Sequence, residues 1–178
     1  MTDSGFAERV KNKKRRRLVS SIIVAVIVLL ALIPLGTRMF KPGGDGPDAD
    51  VSISIVCTDL SGDIGKLNDR ALEEYVPEDG IILPETDVAV VSGETTVLDV
   101  LEEVCISNGI QIETENNPAY GSYVKGINYL YEFSAGKYSG WMFSVDGTDS
   151  SYSADKVKLD GGERIIWYYV VDFNSEAQ

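Results

Sequence analysis

The feature that most constrains this chain is an uncharged, mostly apolar run from Leu18 to Leu35. A helix rises about 1.5 Å per residue, so this run would span roughly 27 Å, close to the bilayer core of about 30 Å. We therefore predict a single transmembrane helix over residues 18–35. A cleaved signal peptide is the alternative, but its apolar region is shorter and precedes a small-residue cleavage site. Here the run ends in Ile33-Pro34-Leu35 without a clear site of that kind.

The charges on either side of the run predict its orientation. Seven Lys and Arg residues lie between Arg9 and Arg17, whereas only Arg38 and Lys41 follow the run closely. Positive charge is retained on the cytoplasmic side of a membrane. We expect residues 1–17 to form a basic cytoplasmic tail, the chain to cross the membrane once, and everything beyond the helix to lie outside.

The part of the chain beyond the helix is strongly acidic. Residues 1–40 hold eight Lys/Arg and two Asp/Glu, for a charge of +6, whereas residues 41–178 hold eight and 26, for −18. A surface of that charge repels nucleic acid and anionic lipid, so a nucleic-acid partner is not expected. Gly and Pro residues predict a flexible linker over residues 36–50. One extracytoplasmic domain should then occupy residues 51–173, with a short tail at 174–178.

The chain has two cysteines, Cys57 and Cys105, and no histidine. An oxidising location outside the cytoplasm permits a disulfide between them. Their apolar neighbours are equally compatible with two buried thiols. Too few nitrogen and sulfur ligands are present for a zinc site, and no nucleophile–base motif is recognisable. We therefore expect neither a metal site nor an enzyme.

The order of predicted elements indicates an α+β domain. The strongest signal is an amphipathic helix beginning at Val97, with Thr95 or Thr96 as its cap and Asn108-Gly109 at its end. Around it, alternation and turn residues predict strands at 51–56, 87–91, 110–113, 139–145 and 164–171, a weak helix at 66–75, and short strands or turns over 120–131. The last strand is apolar on both faces, as a central strand should be. This order predicts one main helix packed across a mixed sheet, in a β-grasp-like arrangement.

Aromatic residues are concentrated in one part of the domain. Eight of the sixteen in the chain lie between Tyr120 and Phe143, and aromatic clusters form either cores or binding surfaces. The candidate ligand-binding residues are Tyr129, Tyr131, Tyr138, Trp141 and Phe143. The two on the predicted inner strand face, Trp141 and Phe143, are also expected to contribute to the core, whereas the tyrosines lie among glycines and better suit a surface.

Four stretches carry a family resemblance: Gly93–Leu101, Gly126–Phe133, Ser139–Gly147 and Leu159–Trp167. In order and spacing they resemble an uncharacterised domain of bacterial surface proteins that looks like the C-terminal domain of transcobalamin. The resemblance covers roughly residues 85–171, with Asp146 and Gly162 as departures from the usual pattern. It implies a β-grasp-like fold and, as a ligand, cobalamin or a related corrinoid. Transcobalamin encloses cobalamin with a second, helical domain, so one domain alone would cover only one side of a corrinoid.

Two functions fit these observations. The first is a membrane-anchored extracytoplasmic module that binds a corrinoid or another small ligand. The second is a structural or adhesion module that contacts another envelope protein or a cell-wall polymer. In both functions the aromatic residues are the candidates for contact with the ligand or partner.

Overall fold

The computed structural model describes residues 46–174. The predicted cytoplasmic tail and transmembrane helix at 18–35 lie outside these residues. Within residues 46–174, no helix has the length and apolarity needed to cross a membrane. The described part is a mixed α+β domain dominated by two open sheets.

The larger sheet has five strands in the order β2-β1-β8-β6-β7. These strands are β1 (Ala49–Val56), β2 (Ile81–Val90), β6 (Gly140–Val145), β7 (Thr148–Asp149) and β8 (Arg164–Val170). The pairing of β1 with β8 is parallel, and the other pairings are antiparallel. The sheet is therefore mixed, as the sequence predicts.

The core face of this sheet follows directly from alternation along its strands. In β1, Val51, Ile53 and Ile55 are buried, and in β8 the buried side chains include Ile165 and Trp167. The register brings Ile53 beside Ile165 and Ile55 beside Trp167. Strand β8 lies between β1 and β6, which confirms it as a central strand.

The main helix, α2 (Val97–Asn108), has the boundaries that its sequence predicts. Thr96 is the N-cap: its hydroxyl accepts from the Asp99 amide, and the Asp99 carboxylate accepts from the Thr96 amide, which forms a capping box. Gly109 ends the helix with φ of 68°, a left-handed conformation that glycine adopts without strain. The buried side chains form the single predicted stripe: Val97, Leu98, Val100, Leu101, Val104 and Cys105.

The second sheet is smaller and has the order β3-β4-β5, all antiparallel. Its strands are β3 (Ile112–Asn117), β4 (Gly121–Ile127) and β5 (Leu130–Tyr131). Val124 and Ile127 of β4 and Leu130 of β5 are buried in the common core. The short strands predicted over residues 120–131 thus form a sheet of their own with β3.

The weak helix predicted at 66–75 differs from the structure. The segment forms two 3₁₀ turns, Ile64–Lys66 and Arg70–Tyr75, and a one-turn helix, α1 (Thr58–Ser61), precedes them. Asn68 and Asp69 account for the difference because such side chains bind backbone groups in place of a helix. The Asp69 carboxylate accepts from the Ala71 amide at 2.9 Å, and the Asn68 amide group donates to the Phe133 carbonyl at 2.7 Å.

Cys57 and Cys105 are free thiols in the structure, and both are fully buried. Burial raises the pKa of each thiol to about 12. Because the thiolate is the reactive form, we expect neither cysteine of the folded chain to react with Ellman's reagent near pH 8, and both to react in concentrated guanidinium. If a disulfide joined Cys57 and Cys105, no free thiol would react with the reagent in either condition.

Candidate functional site

A surface groove of about 220 Å³ lies where β4 and β6 approach the segment that follows β7. We call it the β4–β6 groove. Strand β4 forms one wall, β6 and β8 form the floor, and residues 150–154 form the other wall. The lining residues are Tyr120, Ser122, Tyr123, Val124, Trp141, Met142, Phe143, Ser150, Tyr152, Ser153, Ala154 and Trp167.

The floor of the groove is made of aromatic side chains set by strand register. Phe143 of β6 pairs with Trp167 of β8, and their rings stack with centroids 4.9 Å apart and planes 30° from parallel. Trp141 pairs with Tyr169 in the same way and meets it edge-on, with centroids 5.3 Å apart. Each of these four side chains is at most 7% exposed, and all but Tyr169, which supports Trp141 from the core, line the groove. The floor is therefore a rigid apolar surface whose positions are fixed by the sheet.

The two tryptophans of the floor differ in their hydrogen bonding. The Trp141 indole N–H donates to the Leu130 carbonyl at 2.7 Å. The Trp167 indole N–H is buried and has no acceptor, and it is the one side-chain N or O atom of this kind within residues 46–174. Buried donors in proteins are nearly always bonded. Trp167 also lines the groove, so an acceptor brought by a ligand could pair with this N–H if the side chains that cover it shift on binding.

The rim of the groove consists of tyrosines and serines. Tyr120 is 81% exposed, Tyr152 is 74% exposed and Tyr123 is 42% exposed. The Ser150 hydroxyl holds its wall in place because it accepts from the Tyr152 amide and donates to the Tyr152 carbonyl. Ser122 and Ser153 add two further hydroxyl groups to the lining.

One glycine makes the close approach of the two walls possible. Gly121, at the start of β4, has φ of 94°, and a Cβ at this position would overlap the Ser153 hydroxyl and come within 2.5 Å of an Asp155 carboxylate oxygen. Only glycine combines this backbone conformation with this contact. The groove therefore depends on Gly121 for its shape.

The electrostatics of the groove are those of a neutral site in an acidic surface. The Ser153 hydroxyl donates to the Asp155 carboxylate at 2.5 Å, and this bond, with Lys156 nearby, lowers the pKa of Asp155. Burial, reinforced by the charge of Glu132, raises the pKa of Tyr123 to about 12. The lining includes no charged side chain. Within residues 46–174, no three His, Cys, Asp or Glu side chains are grouped to hold a metal ion.

The structure separates the five candidate ligand-binding residues. Trp141 and Phe143 line the β4–β6 groove and belong to the core at the same time. Tyr129 stacks on Tyr75, with centroids 4.5 Å apart, and is not among the lining residues. The remaining two, Tyr131 and Tyr138, also lie outside the lining.

Local contacts explain the positions of these two tyrosines. The Tyr131 hydroxyl accepts from the Gln111 side chain at 3.1 Å, and its ring packs so closely on Gly126 that a Cβ there would lie 2.6 Å from it. Tyr138 is 45% exposed and lies beneath the Lys137 ammonium, which is 4.4 Å from its ring centroid. Tyr131 therefore has a structural role, and Tyr138 is a surface residue outside the groove lining.

The candidate residues predicted from the sequence do not include Trp167, Tyr152 or the three serines of the groove. Trp167 could have been found, because it alternates with Ile165 and Tyr169 on the inner face of the same strand. Tyr152 had no such signal, since it lies in an irregular segment that only the folded chain brings opposite β4.

One family model matches part of the domain. The model of a domain of unknown function, DUF4430, matches residues 94–170, which lie within the region of the transcobalamin-like resemblance. No curated protein matches the sequence.

Two solved structures are similar to parts of the chain. One is a protein from Ruminococcus gnavus ATCC 29149 whose metal binding is itself inferred; it is 12% identical, with a TM-score of 0.41, over 69% of this chain and 97% of that one. The other is haptocorrin in complex with Cbi, which is 15% identical, with a TM-score of 0.46, over 74% of this chain. The match spans 27% of the haptocorrin chain.

Proposed function

We propose that this chain is a binding module that takes a ring-shaped part of its ligand into the β4–β6 groove. The observation that carries the proposal is the aromatic lining of the groove, in which Trp141, Phe143 and Trp167 lie together with exposed tyrosines. An aromatic floor with a few polar groups at its edge is the usual composition of a small-molecule site. The fixed strand register behind it means that the floor is formed before a ligand arrives.

The size of the groove limits what it can hold. Its volume of about 220 Å³ is below the range of roughly 300–1,000 Å³ for pockets that enclose drug-sized ligands. One ring of a ligand fits, and the rest of the ligand would remain in solvent. A corrinoid, which the family resemblance implies, would rest only one edge in the groove. The groove therefore suits smaller ligands better than a corrinoid.

The proposed location is outside the cytoplasm. The apolar run at 18–35 would serve as the anchor, with the basic tail inside. The linker predicted at 36–50 would join it to the domain, and its last two residues already belong to β1. The seven Lys and Arg residues between Arg9 and Arg17, against Arg38 and Lys41 after the run, support this orientation. The β-grasp-like description of the domain belongs to the same proposal, supported by the helix α2 over a mixed sheet.

Exposed tyrosines at the rim support a second candidate function. Tyr120 and Tyr152 are mostly exposed, and aromatic residues of this kind are enriched where proteins meet macromolecular partners. A module that contacts another envelope protein or a cell-wall polymer would use the same rim. The two functions differ in whether a small ligand alone suffices for binding.

Titration of the full-length chain separates these functions. Tryptophan fluorescence should respond to cobinamide or to a neutral oligosaccharide, because both tryptophans of the chain lie in the groove floor. We expect Tyr152→Ala to weaken the binding of the active ligand by about two- to tenfold, the loss of one aromatic contact.

Tyr138→Ala is the matched control, since Tyr138 is also an exposed tyrosine but lies outside the lining. It should leave affinity unchanged. Equal losses in both variants, or no loss with Tyr152→Ala, would contradict binding in the groove. Capture of an envelope protein with no response to any small ligand would favour the second function.

A further inference from the structure

We infer that the group held in the β4–β6 groove is an uncharged pyranose ring of a glycan, and that the Trp167 indole N–H donates to one of its oxygens. This inference rests on the proposed function and specifies its ligand class. Three properties of the groove select the class: its unpaired donor, its combination of rings and hydroxyls, and its lack of charge.

The donor requires that the ligand carry an acceptor. Trp167 is 2% exposed, and its N–H forms no bond within residues 46–174. Neither water nor a ligand oxygen reaches it in the unbound structure, so binding has to move the side chains that cover it. An indole N–H can only donate. A hydrocarbon group in the groove would leave this N–H unpaired, whereas a ring or hydroxyl oxygen would satisfy it and contribute to affinity. The acceptor therefore has to lie on the part of the ligand that enters the groove.

The arrangement of rings and hydroxyls matches the two kinds of surface on a sugar. A pyranose presents C–H groups on its faces and hydroxyl groups around its edge. Phe143 and Trp167 are at most 7% exposed, so the aromatic surface open to C–H faces comes mainly from the exposed tyrosines of the rim, such as Tyr152. Ser122 and Ser153 supply hydroxyls to the same lining, and a hydroxyl both donates and accepts.

The absence of charge in the lining excludes ionic ligands as the preferred class. An anion would meet no cation in the lining and would approach a domain whose residues 41–178 carry −18. A cation would find two carboxylates beside the lining: Asp155 is already bonded to the Ser153 hydroxyl and paired with Lys156 at 3.1 Å, and Glu132 accepts a hydrogen bond from Tyr123. An uncharged ligand loses the least hydration free energy on entering this site.

The test uses the two indole N–H signals in a ¹⁵N-correlated NMR spectrum of the full-length chain. The chain has two tryptophans, and Trp167→Phe assigns the signals by removing one of them. Chitotriose, cellotriose and maltotriose are the saccharide probes, and indole is the planar aromatic probe. With at least one saccharide, we expect the Trp167 N–H signal to move downfield. Trp141 is the internal control because its N–H already donates to Leu130, and its signal should move much less.

The affinity of the active saccharide should also fall about tenfold in Trp167→Phe. If that variant does not fold, through-space contacts assign the two indole signals in the wild-type spectrum, where the movement is then measured. No movement of the Trp167 signal with any of the three saccharides would overturn the inference. If the Trp167 signal moves with indole alone, the groove binds ligands but not saccharides. If it moves with no probe and the fluorescence does not respond either, the result counts against the proposed function itself.

Discussion

Leu101→Ala is expected to lower the free energy of unfolding by about 2–5 kcal/mol. Leu101 lies in the middle of α2 and is fully buried in the core cluster. Its truncation removes apolar contacts and leaves a cavity that a rigid sheet cannot close. Urea denaturation followed by circular dichroism measures the effect as a lower midpoint with an unchanged slope.

Glu103→Ala is the control for helix formation. Glu103 lies on the same helix, two residues away, with its side chain exposed, so the change should stay within about 0.5 kcal/mol. If the two substitutions had equal effects, α2 would not be the helix that covers the sheet.

Gly121→Ala has the other large expected effect, about 2–5 kcal/mol of destabilisation. The new methyl group would overlap the Ser153 hydroxyl, and relieving such overpacking costs about 1–3 kcal/mol. A φ of 94° adds about 1–2 kcal/mol for a residue with a side chain. Since the wall at 150–154 must also move, ligand affinity should fall with stability, and one set of denaturation and fluorescence titrations records both.

Gly162→Ala isolates the backbone part of this effect. Gly162 has nearly the same φ, 91°, but no atom lies within 4 Å of the position that its Cβ would take. Gly162→Ala should lower the free energy of unfolding by only about 1–2 kcal/mol and should leave ligand affinity unchanged. A loss of affinity as large as that of Gly121→Ala would show that the contact with Ser153 does not shape the groove.

The elements that the sequence predicts best are those that local chemistry specifies completely. Helix α2 has an uninterrupted apolar stripe, a Thr96 cap and a Gly109 end, and all three lie within one short segment. Strand β8 is similarly specified by its continuous apolar run. The segment at 66–75 is harder because its weak stripe competes with side-chain bonds from Asn68 and Asp69, and the decisive partner, Phe133, is far away in the sequence.

The candidate site was predictable only in part, for the same reason. Trp141 and Phe143 are recognisable from alternation on a single strand. The groove that they line also needs Tyr152 and Ser153, which reach it only because Gly121 allows the irregular wall to approach β4. The unpaired N–H of Trp167 is a property of packing, and no spacing of residues in the sequence indicates it.

The most direct test of the central proposal is a map of backbone amide shifts in the full-length chain during titration with the ligand that gives the fluorescence response. Binding in the β4–β6 groove predicts that the largest shifts fall on Tyr123, Ala154 and Trp167. Largest shifts at Tyr75 and Tyr129, which stack on each other outside the groove lining, would contradict it and move the binding site to that pair.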